Sequence, residues 1–106
     1  MNNYAVYTTE TFDRQMSKLS KCMSQKITKL FSQLKENPYV GDQLRYKHLR
    51  EKRLREKRLY YLVYDDISTV LVIALSSKKN QQATIDHIVK HFDKYRYYMQ
   101  NLLNKT

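Results

Sequence analysis

The chain contains one cysteine, Cys22, so no internal disulfide can form, and neither a CxxC pair nor a Cys/His cluster with zinc spacing is present. No metal and no cofactor is expected, and a reducing cytosol suits the composition. Of the three histidines, only His87 and His91 stand at i and i+4, with no further ligand pattern around them. Long apolar runs are missing as well. The longest, Leu59 to Tyr64 and Val70 to Leu75, fall far short of a bilayer span, and the opening MNNYAVYTTE has neither the basic start nor the apolar stretch of a signal peptide. A cytoplasmic protein with no membrane partner is expected. Acidic residues are scarce, 10 against 20 Lys and Arg, which leaves a net charge of +10. With 106 residues there is room for one domain, 1–106, and none for a second catalytic unit.

What is present is concentrated. Between Arg45 and Arg58 lie eight cations (Arg45, Lys47, Arg50, Lys52, Arg53, Arg55, Lys57, Arg58) against two Glu, an excess of six within 14 residues. Such a cluster points to a polyanionic partner such as nucleic acid. Its ordinary alternative is a basic, solvated strand that only aids solubility. Ten Tyr and three Phe supply core volume, and Tyr60, Tyr61 and Tyr64 are expected to serve the sheet before they serve as base-stacking platforms.

The patterning predicts the order β-α-α-β-β-β-α. Asn3 to Thr8 alternates like a short strand, and Thr9 or Thr11 caps a helix carrying Phe12, Met16 and Leu19 on one face. A second helix runs from about Lys21 to Glu36 with Met23, Ile27, Leu30, Phe31 and Leu34 on its stripe. Asn37-Pro38 stops it, and the single glycine, Gly41, marks the following loop. In LREKRLREKRL (49–59) leucines recur every five residues, which on a helix would scatter them around the axis. A hairpin fits better, with strands at about 49–54 and 58–64 and a turn through Arg55 to Lys57. Tyr60, Leu62 and Tyr64 then share one face and Leu59, Tyr61 and Val63 the other. Asp65-Asp66 turns into TVLVIAL (69–75), a strand buried on both sides. From about Gln82 the residues Ile85, Ile88, Phe92, Tyr95, Met99 and Leu102 form a helical seam, expected as one C-terminal helix over 80–106. The seam is longer than a small sheet could hide, so Tyr95, Met99 and Leu102 are expected to meet a second copy or another partner.

This order and its residues resemble the RelE/ParE superfamily of bacterial and archaeal toxins. Arg58-Leu59-Tyr60-Tyr61 is similar to that family's third-strand motif. It is followed without gaps by Asp65-Asp66, the strand Val70 to Leu75, a small residue and a basic cluster, Ser76-Ser77-Lys78-Lys79. Upstream, LFSQLKENPYVGDQLR is similar to the family's helix end, Leu34 to Pro38, and its leucine-arginine pair, Leu44-Arg45. The resemblance covers roughly Thr11 to Lys79 and is nearest the archaeal RelE-like members. It implies an α+β fold with an N-terminal strand and a helical hairpin packed on a small antiparallel sheet, followed by a long C-terminal helix.

For function, the resemblance implies the toxin of a type II toxin-antitoxin system, a ribosome-dependent mRNA endoribonuclease that inhibits translation and needs no cofactor. The partners it implies are mRNA, the ribosome and a cognate acidic antitoxin. Carried over by position, Arg58 grips the phosphate and Lys78 is the cation after the last strand. Arg50 and Lys52 are the paired second-strand cations, unless a shift of one residue substitutes Glu51 and Arg53. Arg45, Lys47, Arg53, Arg55, Lys57 and Lys79 are expected to bind RNA. One departure stands out: Thr84 occupies a position where many active members carry Tyr or His, with His87 one helical turn on. A non-enzymatic ParE-like toxin binding DNA gyrase and a plain RNA- or ribosome-binding protein are therefore the rival readings.

Overall fold

The computed structural model describes residues 3–104. Its elements are β1 (Ala5–Thr8), α1 (Glu10–Met16), α2 (Lys21–Glu36), β2 (Asp42–Gln43), β3 (Leu49–Leu54), β4 (Lys57–Tyr64), a 3-10 turn (Asp65–Ile67), β5 (Thr69–Ser77), α3 (Gln81–Lys90) and α4 (Phe92–Asn104). Capping chemistry sets the first helices. The Thr9 hydroxyl accepts from the Phe12 amide at 3.1 Å and the Ser20 hydroxyl from the Met23 amide at 3.2 Å, each satisfying one of the free amides of a helix start. Asn37, before Pro38, leaves the helical region (φ −142°, ψ 93°) and ends α2 where expected.

The five strands lie in the order β1-β5-β4-β3-β2. The β3-β4-β5 meander is antiparallel, as expected, while β1 joins β5 in parallel, Ala5 opposite Thr69 to Thr8 opposite Val72. The helical hairpin causes this: it returns the chain to the start of β1, where the Tyr4 amide donates to Lys35 O at 2.8 Å. β1 is too short to cover all of β5. Past Val72 the Thr9 hydroxyl donates to Ile73 O at 2.6 Å, and the Gln15 carboxamide pairs both ways with the Leu75 backbone, at 3.0 and 2.8 Å.

Both sheet faces are covered. α1 and α2 lay Phe12, Ile27, Leu30 and Leu34 over Leu59, Tyr61, Val63, Val70 and Val72, while α3 and α4 lay Ile85, Ile88 and Met99 over Leu49, Tyr60, Leu62, Leu71 and Ile73. The alternation read in β4 and the two-sided burial of β5 are both found. A bulge between Tyr60 and Tyr61 leaves Ile73 without an opposite number, so that Ile73 and Ala74 both face α3. Gly41 is required by crowding, since a Cβ there would stand 2.7 Å from Glu51 O and 2.7 Å from the Tyr61 hydroxyl.

The C-terminal segment departs from the sequence reading in two ways. It is two helices, broken at His91 (φ −115°, ψ 22°). A straight helix over 81–104 would be roughly 36 Å long, beyond the molecule's longest extent of 34 Å; the break keeps α4 on the sheet. Positions 105 and 106 of the expected helix lie outside the described residues. The second departure corrects the expected partner surface at Tyr95, Met99 and Leu102. Met99 has no exposed surface, and Tyr95, Leu102 and Leu103 pack against the same core as Leu62 and Tyr64. α4 encloses Met99 and half-buries Tyr95 and Leu102 because it continues the cover that α3 begins. No helix among the described residues is long and apolar enough to cross a membrane.

Candidate nucleic-acid interface

The β3-β4 pairing fixes the register that the sequence left open. Arg58 stands opposite Arg53 on one side and Ser76 on the other, and Tyr60 stands opposite Glu51. Strand alternation therefore puts Glu51, Arg53, Arg58, Tyr60 and Ser76 on one face, at the sheet end where the β3-β4 turn, the end of β5 and the start of α3 converge.

Arg58 is only 7% exposed, and its Nη1 donates to Glu51 Oε1 at 3.3 Å. The other oxygen of Glu51, itself 4% exposed, accepts from Gln81 Nε2 at 2.7 Å. Beside them the Tyr60 hydroxyl and Ser76 Oγ are 2.8 Å apart. Burial raises the Tyr60 phenol above its ordinary value, so it stays protonated and able to donate. A guanidinium has five N–H donors. Glu51 aims the group through one of them, leaving others to meet an anion arriving from the rim. Arg53, Arg55, Lys78 and Lys79 on that rim are exposed, and Lys57, opposite Ser77, is half-buried.

The remaining expected site residues lie elsewhere. Arg50 and Lys52 alternate onto the opposite face from Arg58. Arg50 is already engaged there: its guanidinium donates to Gly41 O at 2.7 Å and Tyr39 O at 3.2 Å and lies 5.1 Å above the Tyr39 ring. It ties the 39–47 loop to the sheet. Arg45 forms an ion pair with Asp86 of α3, and Lys47 is exposed on the loop before β3. The structure thus gathers Arg53, Arg55, Arg58, Lys78 and Lys79 at one end, with Lys57 at the same end but on the opposite face of the sheet, beside Leu19 and Met23, and leaves Arg45, Lys47, Arg50 and Lys52 outside that grouping.

The sequence does not single out Tyr60, Ser76 and Gln81 as site residues, and it offers Glu51 only as the substitute under a one-residue shift of the second strand. Tyr60 was within reach, because it shares a strand face with Arg58 two positions away. Glu51 and Ser76 needed the register, and nothing local marks Gln81. The Thr84 hydroxyl donates to Asn80 O at 2.9 Å within its own helix. His87 stands apart from Arg58, on a cleft of about 350 Å³ whose walls include Thr9, Gln15, Thr84 and Tyr95. The His87 and His91 rings lie 4.2 Å apart, and no group of three potential metal ligands occurs among the described residues.

No protein-family model matches this sequence, and no curated protein does. Solved structures do. The toxin-antitoxin complex RelBE2 from Mycobacterium tuberculosis matches with a TM-score of 0.64 and 27% identity, over 74% of this chain and 94% of that one. A mutant of the E. coli toxin RelE in the free state matches at 0.71 and 18%, over 83% and 97%. The archaeal RelE-RelB complex from Pyrococcus horikoshii OT3 matches at 0.66 and 17%, over 72% and 96%. The meander flanked by a helical hairpin and a C-terminal helical cover is thus the fold of the RelE/ParE superfamily of toxins. Within that superfamily, the likeness extends to RelE proteins of both bacteria and archaea.

Proposed function

We propose that this chain is the toxin of a type II toxin-antitoxin pair and that it cleaves mRNA on the ribosome. The observation that carries the reading is Arg58: a nearly buried cation, aimed by Glu51 and Gln81, at a sheet end rimmed by Arg53, Arg55, Lys57, Lys78 and Lys79. The likeness to RelE structures supports it.

Cleavage would proceed by attack of a ribose 2′-OH on the adjacent phosphate. That centre gains negative charge as the new P–O bond forms, and the 5′-oxygen departs with a proton. Fixed cations act most strongly where charge develops in a site shielded from water. Arg58 takes that role, Lys78 neutralises a flanking phosphate, and Tyr60, hydrogen-bonded to Ser76 on the same face, is a neutral donor beside them. The acidic antitoxin would then be a chain, disordered when free, that lies across the same rim and neutralises it.

Arg58→Ala should lower cleavage by about 10² to 10³, the usual loss when one transition-state donor is removed. The assay maps mRNA ends on programmed ribosomes at a temperature where circular dichroism shows the variant, destabilised by the unpaired Glu51, to be folded. Unchanged cleavage would sink the assignment of Arg58. One observation favours the rival reading, a ParE-like binder of DNA gyrase: Thr84 spends its hydroxyl inside α3 and offers no proton relay. Growth arrest with intact mRNA and inhibited DNA supercoiling would establish that reading instead.

A further inference from the structure

The helical hairpin carries a second cationic surface, remote in sequence from the cluster at 45–58. From Arg14 to Lys35 there are six cations (Arg14, Lys18, Lys21, Lys26, Lys29, Lys35) and no Asp or Glu. Five of them are exposed, and Lys26 is half-buried. On α2, Lys21, Lys29 and Lys35 occupy the side turned away from Ile27, Leu30 and Leu34, the residues that bury against the sheet, while Lys26 flanks that apolar stripe.

An ordinary solvated helix face intersperses acids and bases so that i,i+4 pairs form. Here the ion pairs among the described residues are Arg45 with Asp86, Glu51 with Arg58 and Arg96 with Asp66, so none of the six cations has a carboxylate partner. The placement also runs against helix stability. α2 opens on Lys21 with no acid in its first turn, at the positive end of the helix dipole, and Lys26 and Lys29 repel at i,i+3. Cations held against local electrostatics belong to a surface that meets an anion. From Lys21 to Lys35 they extend over about 21 Å of helix, a length over which a nucleic-acid duplex presents a phosphate charge roughly every 1.7 Å. The surface is continuous with the rim described above, because Leu19, Ser20 and Met23 line one hollow together with Arg55, Glu56 and Lys57.

We propose that the exposed face of α2, together with Arg14 and Lys18 just before it, is a binding surface for the phosphate backbone of duplex RNA, separate from the strand gripped at Arg58 and bounded by the acids Asp13 and Glu36. This deepens the RNA reading above but stands on different residues. Duplex RNA is contacted by shape, 2′-OH and phosphate, which needs spaced point charges and no base-reading pocket. Folded RNA of the ribosome is the partner class that supplies such duplexes beside an mRNA.

Cys22 makes the test direct, since it is the chain's sole cysteine and is exposed on this face. A thiol-linked photocrosslinker there should capture a short blunt RNA duplex in solution and, on purified ribosomes, ribosomal RNA. Lys21→Glu with Lys29→Glu should weaken binding to the same duplex by about tenfold or more and flatten the salt slope by about 2, while the melting temperature holds or rises, because the exchange places an acid at the positive helix end and removes the repulsion from Lys26. The proposal fails if the double variant binds the duplex within about twofold of the parent, or if Cys22 on ribosomes crosslinks only to protein. Duplex binding that persists while mRNA stays uncut would remove the nuclease reading and leave this surface standing.

Discussion

Arg58 and Glu51 form the one ion pair among the described residues with both partners buried. Removing either partner strands a charge in a poorly solvated place, which ordinarily costs about 3 to 5 kcal/mol, whereas replacing both with apolar residues of similar size is often close to neutral. We therefore expect Glu51→Leu to destabilise strongly and Arg58→Met with Glu51→Leu to recover most of that loss in urea titrations. Equal loss in the single and double variants would show that the pair does not act as a unit. At the other end of the sheet, Asp65 accepts from the hydroxyls of Tyr39 and Tyr4, the latter at 2.8 Å, and these bonds hold its pKa below the ordinary 3.8. A depressed carboxylate stabilises the fold fully above its unfolded pKa and is lost as pH falls through the lower, folded value. Asp65→Asn should accordingly flatten the fall in melting temperature below about pH 4, while the parent keeps a steeper acid limb.

The elements show why β4 could be read in full and β3 could not. In β4 every second residue is apolar on both faces, so the sequence shows both cores. β3 reads LREKRL, with its two leucines an odd number of positions apart, and they face opposite ways: Leu49 joins the core under α3 and α4, Leu54 the one under α1 and α2. With one leucine per face and charges between, no apolar alternation selects a register. The pairing with β4 decides it, and with it Arg58's companions, Glu51 and Arg53 rather than Arg50 and Lys52. The C-terminal seam was legible as a helix face, but its target was not, since an apolar stripe does not say which surface it meets. α4 supplies Met99 to a fully enclosed position. Deleting a buried Met side chain alone costs about 2 to 5 kcal/mol, so truncation after Lys94 should abolish the cooperative melt seen by circular dichroism. A folded, monomeric product would contradict the packing described here.

For the whole molecule, the charge of +10 is unevenly spread, with the helical hairpin and the β3-β4 tip basic and Asp65 and Asp66 together at the turn into β5. The proposed binding to ribosomes should therefore weaken steeply with salt, by roughly 0.7 to 0.9 log units per decade for each phosphate contacted. A slope shallower than about −2 would exclude both cationic surfaces as the principal contacts. Composition alone raises the expectation of a polyanionic partner. The division of charge into two surfaces needed the tertiary fold, which brings Leu19 and Met23 beside Arg55 and Lys57.

The Gln15 carboxamide has one more effect, on how copies of the chain meet one another. Open strand edges invite neighbouring chains to pair and aggregate. β1 ends at Thr8, and a bare β5 would offer the Leu75 amide and carbonyl to any extended peptide nearby. Gln15 occupies both groups and Thr9 the carbonyl before them, so this stretch of edge is hemmed by the chain's own side chains. The sheet cannot be lengthened there by a sixth strand unless that strand first evicts Gln15 and Thr9, a barrier to templated fibre growth set by two side chains.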